Sequence, residues 1–202
     1  MNLDQYDNVC LSGGADGADL VWGAEAARHG HGVIHFSFAR HRTKAPPDAV
    51  AILSKDQLAN ADPHCAIASH SLRRPFPTRS SHVNNLLRRN WFQVAEAGAC
   101  YGVGNFDKVP TKLTIPVGNV MTNMQISGGT AWATTMFIKR HGGRACQCFF
   151  FEQEICHWFC WQGDGWECVY HPPQPTGIWA GIGTRRLNSM GNLAIRVVME
   201  PS

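Results

Sequence analysis

The stretch VCLSGGADGADLVWGAEAARHGHGVIHFSF, residues 9–38, determines the fold. VCLS at residues 9–12 is typical of a short buried strand, and it runs directly into the glycine turn GGADG. Apolar residues then recur at helical spacing before Gly30, namely Leu20, Val21, Ala24 and Ala27. VIHFSF at residues 33–38 is rich in β-branched and aromatic residues and predicts a second strand. A strand, a glycine turn, a helix and a strand in this order predict a βαβ unit of a parallel sheet.

Two more junctions of strand, glycine turn and helix follow, around Ser127 and around Gly181. A helix over 83–97 and a strand over 99–104 lie between the first and second junctions, and a strand over 144–153 follows the second. We therefore predict one α/β domain over residues 1–202, with a Rossmann-like open parallel sheet flanked by helices.

Three segments depart from this pattern. Residues 39–82 contain APPDA, ADPH and RRPFPTRSSH, and we expect an irregular insertion or lid there, with one short helix near 54–60. Residues 105–126 predict a loop excursion. Residues 144–170 predict a strand followed by an added β-hairpin that turns at Gly163-Asp164-Gly165.

Composition limits the classes of function. The formal net charge is +3 and charged residues make up 16% of the chain, so we expect no nucleic-acid surface. An apolar stretch of the ~18–20 residues that span a bilayer is absent from the sequence, and the N-terminal residues do not resemble a secretory signal. We expect a cytoplasmic protein with no membrane partner.

Eight cysteines are present, and five lie between Cys146 and Cys168. Their spacings match neither a structural zinc site nor a disulfide framework, so we expect buried thiols and no metal. A metal site remains the alternative. Three tryptophans flank the predicted hairpin turn, either as a stacking platform or as cross-strand aromatic pairs, namely Trp158, Trp161 and Trp166.

The glycine junctions indicate phosphate binding. Glycines after a parallel strand let a ligand approach the backbone, and the helix that follows offers unpaired N–H groups and a partial positive charge. Such turns gather in one crevice beyond the strand ends. No junction has the P-loop or the dinucleotide fingerprint, so the pattern itself names no ligand beyond a phosphate.

SGGADGADLVW at residues 12–22 resembles the SGGA-x-GAD motif of the SLOG superfamily, which includes the LOG phosphoribohydrolases, lysine-decarboxylase-like proteins and phage-type Rossmann proteins. AGIGTRRL at 180–187 resembles the AGIGSR turn of the phage-type members. LLRRNWFQVAEAGACYGVG at 86–104 resembles the segment in which LOG enzymes carry an arginine on a helix before a central strand. SGGTAWATTMF at 127–137 resembles the PGG-x-GT loop that follows this segment. About half of the chain is covered, and residues 39–82 and 105–126 lie outside it.

The order of the motifs departs from that of the superfamily. In relatives the AGIGSR strand comes first and the SGGA strand second, whereas here AGIGTR stands near the end. The resemblance therefore implies a circular permutation, in which the strands at 9–12 and 178–182 are neighbours in one parallel sheet. It also implies a homodimer.

The LOG loop carries a catalytic glutamate that this chain lacks. The matching positions hold Thr134 and Thr135, while Arg89 occupies the place of the arginine, with Arg88 beside it. Arginine can hold phosphate through two hydrogen bonds but cannot serve as a general base. Four carboxylates are candidates to replace the glutamate, with Asp16 first because it lies in the glycine turn; the others are Asp19, Glu96 and Asp107.

We therefore expect a binding domain for a nucleotide or nucleotide-derived small molecule, with no cofactor. The catalytic candidates are Arg89 and Asp16, and Trp132 is the candidate for contact with the base. The phosphate-binding candidates are Ser12, Gly13, Gly14, Gly128, Gly129, Thr130, Gly181, Gly183, Thr184 and Arg185. Two alternatives remain: a nucleoside 5'-monophosphate phosphoribohydrolase with a relocated acid, and a cysteine-rich structural or interaction protein.

Overall fold

The computed structural model describes residues 5–108, 116–143 and 147–201, which build one nine-stranded sheet with helices on both faces. The strands are β1 (Val9–Ser12), β2 (Gly32–Phe38), β3 (Val50–Leu53), β4 (Ala99–Gly104), β5 (Val120–Thr122), β6 (Cys148–Glu152), β7 (His157–Trp161), β8 (Gly165–Val169) and β9 (Ile178–Gly183). The helices are α1 (Ala18–Arg28), α2 (Lys55–Ala59), α3 (Asp62–Leu72), α4 (Ser81–Val94), α5 (Thr130–Arg140) and α6 (Ser189–Met199).

The strand order is β3-β2-β1-β9-β4-β6-β7-β8-β5. The first six strands in this order run parallel, and the last three join in antiparallel pairs. The predicted class, an open Rossmann-like sheet flanked by helices with an added hairpin, is confirmed.

The path of the chain creates a crevice in the middle of the sheet. From β1 the chain moves outward through α1 to β2 and β3, returns through α4 to β4, and moves outward the other way through α5 to β6. Helices α1 and α6 pack on one face, whereas α3 and α5 pack on the other. Such a reversal leaves a crevice beyond the carboxyl ends of the central strands, where ligands bind in folds of this type.

β9 fills the place between β1 and β4 at this reversal. It pairs in parallel with β1, with Leu11 opposite Ala180, and with β4, with Tyr101 opposite Gly181. The predicted adjacency of the strands at 9–12 and 178–182 is therefore confirmed, and the turns that follow them open at the same edge.

The hairpin is part of the sheet. β7 and β8 pair in register, with Trp161 opposite Trp166 and their rings 5.3 Å apart in a T-shaped arrangement. Trp158 and Trp166 are buried, at 5% and 3% exposure. Cross-strand aromatic packing is therefore confirmed for Trp161 and Trp166. A stacking platform is excluded for the buried rings of Trp158 and Trp166, whereas Trp161 is half-buried. β5, within the predicted excursion over 105–126, adds an edge strand to β8.

Residues 39–82 are more regular than the sequence predicts. The short helix near 54–60 is confirmed as α2, capped by the Ser54 side chain. The expected irregular insertion was wrong for β3, which extends the parallel sheet beyond β2, and for α3. Pro63 lies in the first turn of α3, where a helix tolerates proline because the missing N–H has no partner there in any case.

Three of the clustered cysteines, Cys148, Cys160 and Cys168, are buried in the strands of the sheet, and Cys156 is exposed. Cys146 lies outside the described residues, so the expectation of no metal and no obligatory disulfide stays a prediction. Among the helices that the structure describes, none is long and apolar enough to cross a membrane.

Gly181 gives a direct test of the contact between β9 and α1. A Cβ at this position would lie 2.6 Å from Cβ and Cγ of the fully buried Trp22. We expect Gly181→Ala to lower the free energy of unfolding by about 1–3 kcal/mol through overpacking, measured by urea denaturation. The control is Gly98→Ala, whose Cβ would meet only the Ile178 carbonyl oxygen, at 3.6 Å. Equal stability of the two variants would contradict this packing.

Candidate functional site

A cavity of about 740 Å³ lies at the carboxyl edge of the central strands. Its walls come from the turns after β1, β4 and β9, from the loop before α4, from the inner face of α4, and from the start of α5. The turns contribute Ala15, Gly104, Asn105, Gly183, Thr184 and Arg185; the start of α5 contributes Gly128, Gly129 and Thr130. The crevice that the fold creates is therefore an actual cavity.

An ion pair between Asp19 and Arg89 lies in the floor of this cavity. The two residues are 4% and 5% exposed, and Arg89 Nη2 lies 3.5 Å from Asp19 Oδ2. Asp19 Oδ1 accepts a hydrogen bond from the Gly183 N–H at 3.1 Å, and Arg89 Nη1 donates to the Gly13 carbonyl at 2.7 Å. The pair thereby joins the turns after β1 and β9 to the middle of α4.

Burial and charge act in opposite directions on this pair. Burial raises the pKa of Asp19, while the Arg89 guanidinium and the N–H groups of Gly183 and Ala15 lower it. Burial also lowers the pKa of Arg89, against the opposing effect of Asp19. Arginine nevertheless keeps its proton in proteins, so the floor of the cavity carries a guanidinium held in place by a carboxylate.

The glycines in the turns after β1 and β9 leave room for neighbouring protein atoms, including this ion pair. A Cβ at Gly13 would collide with Asp19 Oδ2 and would lie 2.5 Å from Arg89 Cζ. A Cβ at Gly183 would lie 2.5 Å from Ala18 Cβ and from the Val103 carbonyl oxygen. Close packing at the crossing of β1, β9 and α1 thus requires glycine here, independently of any bound phosphate.

The second glycine turn is open. A Cβ at Gly128 or Gly129 would meet nothing within 4 Å among the described residues, and both glycines are exposed. Arg74 donates to the Gly128 carbonyl and Asn90 to the Gly129 carbonyl, each at 3.1 Å. No side chain caps α5, so its first N–H groups remain for an anion in the cavity.

Two donors on α4 lack partners. Arg89 Nε and Gln93 Nε2 are buried, line the cavity and make no hydrogen bond with any residue that the structure describes. They are one helical turn apart, so they face the cavity together. A buried donor without a partner costs about 1–3 kcal/mol, which water or an acceptor on a ligand would remove.

The cavity combines positive charge with an apolar wall. Four arginines line it, against one carboxylate, Asp19; they are Arg74, Arg89, Arg185 and Arg186. Arg74 is also paired with Asp107 at 2.5 Å. The apolar wall consists of Val83, Leu86, Leu87, Trp132 and Ile182. Such a lining suits a ligand with an anionic end and a flat apolar part.

The predicted site residues divide into two groups. Those that line the cavity are Arg89, Gly128, Gly129, Thr130, Trp132, Gly183, Thr184 and Arg185. The others lie beside or beneath it: Ser12, Gly13, Gly14, Gly181 and Asp16. Ser12 is fully buried, its Oγ 2.7 Å from the Gly181 carbonyl oxygen, and Gly181 packs on Trp22. Trp132 is 5% exposed, so little of its surface can contact a ligand.

The carboxylates are arranged differently from the prediction. Asp16, the first candidate, has a side chain 60% exposed and paired with Lys44 at 3.2 Å, and it does not line this cavity. Asp19 is the carboxylate beside Arg89. Thr134 is buried, and its hydroxyl bonds to carbonyls of its own helix. Of the four candidate carboxylates, Asp19 rather than Asp16 therefore lies beside Arg89.

The sequence did not single out Asn90, Gln93 or Asn105, which also line the cavity. Arg89 and Gln93 are four residues apart on one helix face, and this spacing is the only signal that could have identified Gln93. Comparison with known proteins gives no further help: no family model, no curated protein and no solved structure matches the chain.

His35, in the middle of β2, makes stability depend on pH. It is 2% exposed, and burial together with the Arg89 charge lowers its pKa to about 4. In the unfolded chain this histidine takes up a proton as the pH falls below about 6.5, whereas in the folded chain it does so only near pH 4. The contribution of His35 to the free energy of unfolding is therefore complete above pH 6.5 and is lost as the pH falls toward 4. At pH 5 this one group accounts for a loss of about 2 kcal/mol.

We expect His35→Met to reduce the loss of unfolding free energy between pH 7 and pH 5, measured by urea denaturation at each pH. His70→Met, at an exposed position on α3, serves as the control and keeps the dependence of the parent protein. A His35→Met protein with undiminished pH dependence would show that His35 is not the group responsible.

Proposed function

We propose that this chain binds a nucleotide or nucleotide-derived phosphate ligand in the cavity at the carboxyl edge of the sheet. One observation carries the proposal: two buried donors without partners, Arg89 Nε and Gln93 Nε2, face the same cavity as the uncapped start of α5. All of these groups donate hydrogen bonds, so the ligand must be rich in acceptors. The excess of arginine at the cavity supports an anion.

The phosphate would bind at the Gly128–Thr130 turn, where the N–H groups of α5 are open, with Arg89 and Arg185 supplying charge. The base would pack on the apolar wall formed by Leu86, Leu87 and Ile182, at the edge of Trp132. A volume of about 740 Å³ lies in the range of roughly 300–1,000 Å³ that small-molecule sites occupy.

A hydrolase that splits base from ribose phosphate is the second candidate, because a buried carboxylate lies beside the arginine. Asp19 rather than Asp16 is then the relocated acid, since it is 4% exposed, lines the cavity and lies 3.5 Å from Arg89. An environment that raises a carboxyl pKa favours roles in proton transfer. Hydrolysis of the N-glycosidic bond requires such a group.

The resemblance to the SLOG superfamily remains part of this proposal. The adjacency of β1 and β9 is the arrangement that a circularly permuted member would have, and it supports the resemblance. The homodimer implied by that resemblance stays a prediction.

Arg89 provides the first test. We expect Arg89→Ala to weaken binding of the preferred one of the four ribonucleoside 5'-monophosphates by about 1.5–3 kcal/mol in calorimetry, the contribution of a hydrogen bond to a charged group. Arg89→Lys should recover part of this loss, because an ammonium keeps the charge without the two-pronged geometry.

The matched control is Arg88→Ala. Arg88 is the next residue on α4, but its guanidinium pairs with Asp62 at 2.6 Å and does not line the cavity. Circular dichroism of each variant verifies that it is folded. Unchanged affinity in folded Arg89→Ala protein, or equal losses in both alanine variants, would refute the proposed site.

Asp19 distinguishes binding from hydrolysis. If the chain is a hydrolase, free base accumulates when it is incubated with the preferred monophosphate, and Asp19→Asn abolishes the release, as followed by chromatography. Asp16→Asn, at the paired exposed carboxylate, leaves the rate within about twofold because its charge is solvated. Recovery of intact monophosphate after long incubation with the parent protein would leave binding as the function.

A further inference from the structure

A second cavity of about 360 Å³ adjoins the first, outside the space in which we place the nucleoside monophosphate. The two cavities share Ala15 and Arg185, so they meet at the turns after β1 and β9. The remaining lining residues of the second cavity come from the loop after β2, from the start of α4 and from Asp16. One continuous ligand could therefore extend from one cavity into the other.

The second cavity is strongly basic. Three arginines line it, and none of them forms an ion pair with the residues that the structure describes; they are Arg40, Arg42 and Arg185. The single carboxylate, Asp16, is paired with Lys44 at 3.2 Å, so its charge is offset from outside the cavity. Three unpaired guanidinium groups around one space form a site for an anion.

The loop that carries two of these arginines is fixed in place. The Thr43 hydroxyl donates to the Gly14 carbonyl at 2.6 Å, which ties the loop to the turn after β1. The His41 ring is stacked on the Phe38 ring, with the two ring centroids 5.0 Å apart. His41 Nδ1 lies 2.9 Å from the Ser37 hydroxyl oxygen. The anchored loop holds Arg40 and Arg42, which are both exposed, in one region beside Arg185.

The backbone at Arg40 gives an independent indication. Its φ is 68°, in the left-handed region that is unfavourable for a residue with a Cβ. Asparagine or glycine would adopt this conformation more readily than arginine. A residue in this unfavourable conformation beside a basic cavity is typical of a binding loop, where side-chain chemistry outweighs local conformational preference.

We propose that the second cavity is an anion subsite, and that the ligand carries a diphosphate: the nucleoside and one phosphate occupy the first cavity, and the next phosphate lies among Arg40, Arg42 and Arg185. This inference rests on the proposed function of the first cavity. Arg185, which lines both spaces, contacts both phosphates. A nucleoside 5'-diphosphate, free or as part of a larger molecule, is the ligand class that this arrangement fits.

The test compares the mono- and diphosphates of adenosine, guanosine, cytidine and uridine by calorimetry, without added metal. We expect the preferred diphosphate to bind the parent protein at least about tenfold more tightly than its monophosphate, the effect of one additional charge-assisted contact. Arg42→Ala should remove most of this difference and leave the monophosphate within about twofold. Arg140→Ala, which removes an exposed arginine at the far end of α5, should change neither affinity.

The outcomes separate the two proposals. If a monophosphate binds and no diphosphate binds more tightly, the second subsite is refuted while the proposed function stands. If Arg42→Ala weakens both ligands equally, the arginine acts only through the general field of the protein and the subsite is likewise refuted. If none of the eight nucleotides binds, both proposals fail.

Discussion

The buried pair of Asp19 and Arg89 is the interaction on which the rest of this site depends. Through it α1, α4 and the turns after β1 and β9 meet at one point, by way of the Gly183 N–H and the Gly13 carbonyl. Removing one member of a buried pair leaves the other charge uncompensated, at a cost of about 3–5 kcal/mol. The pair also fixes the direction of the Arg89 guanidinium, whose Nε remains without a partner.

The ion pair gives the glycine turn after β1 a different role from the glycine turn before α5, although the two turns look alike in sequence. The turn after β1 is close-packed around the ion pair, and its glycines leave room for protein atoms. The turn before α5 has open space beside Gly128 and Gly129, and its carbonyls are already bonded to Asn90 and Arg74. A close-packed first turn and an open second one would lower the ordering cost of binding the ligand that we propose.

Much of the fold could be predicted because its signals are local. The βαβ unit over 9–38 needs only hydrophobic periodicity and one glycine turn, and the hairpin needs only its turn. α3 was missed because Pro63 suggests a loop, whereas a proline in the first helical turn is compatible with a helix. β3 is a four-residue edge strand, too short to show a clear period.

The site was harder to predict because its contacts join distant parts of the chain. That Asp19 rather than Asp16 lies beside Arg89 depends on the direction of α1 after the turn, which the sequence does not specify. The closeness of Gly13 to Arg89, 76 positions away, is equally non-local. Gln93 has no motif around it, and only the assembled cavity shows that its amide faces the same space as Arg89.

We propose above that a phosphate binds at the open turn before α5. The most direct measurement is a map of backbone amide chemical shifts in the protein labelled with nitrogen-15, with AMP and adenosine compared at equal concentrations. If the phosphate binds there, AMP moves the amide resonances of Gly129, Thr130 and Ala131 well beyond the shifts that adenosine causes. Identical shifts with the two compounds, or AMP shifts confined to residues outside the cavity, would contradict it.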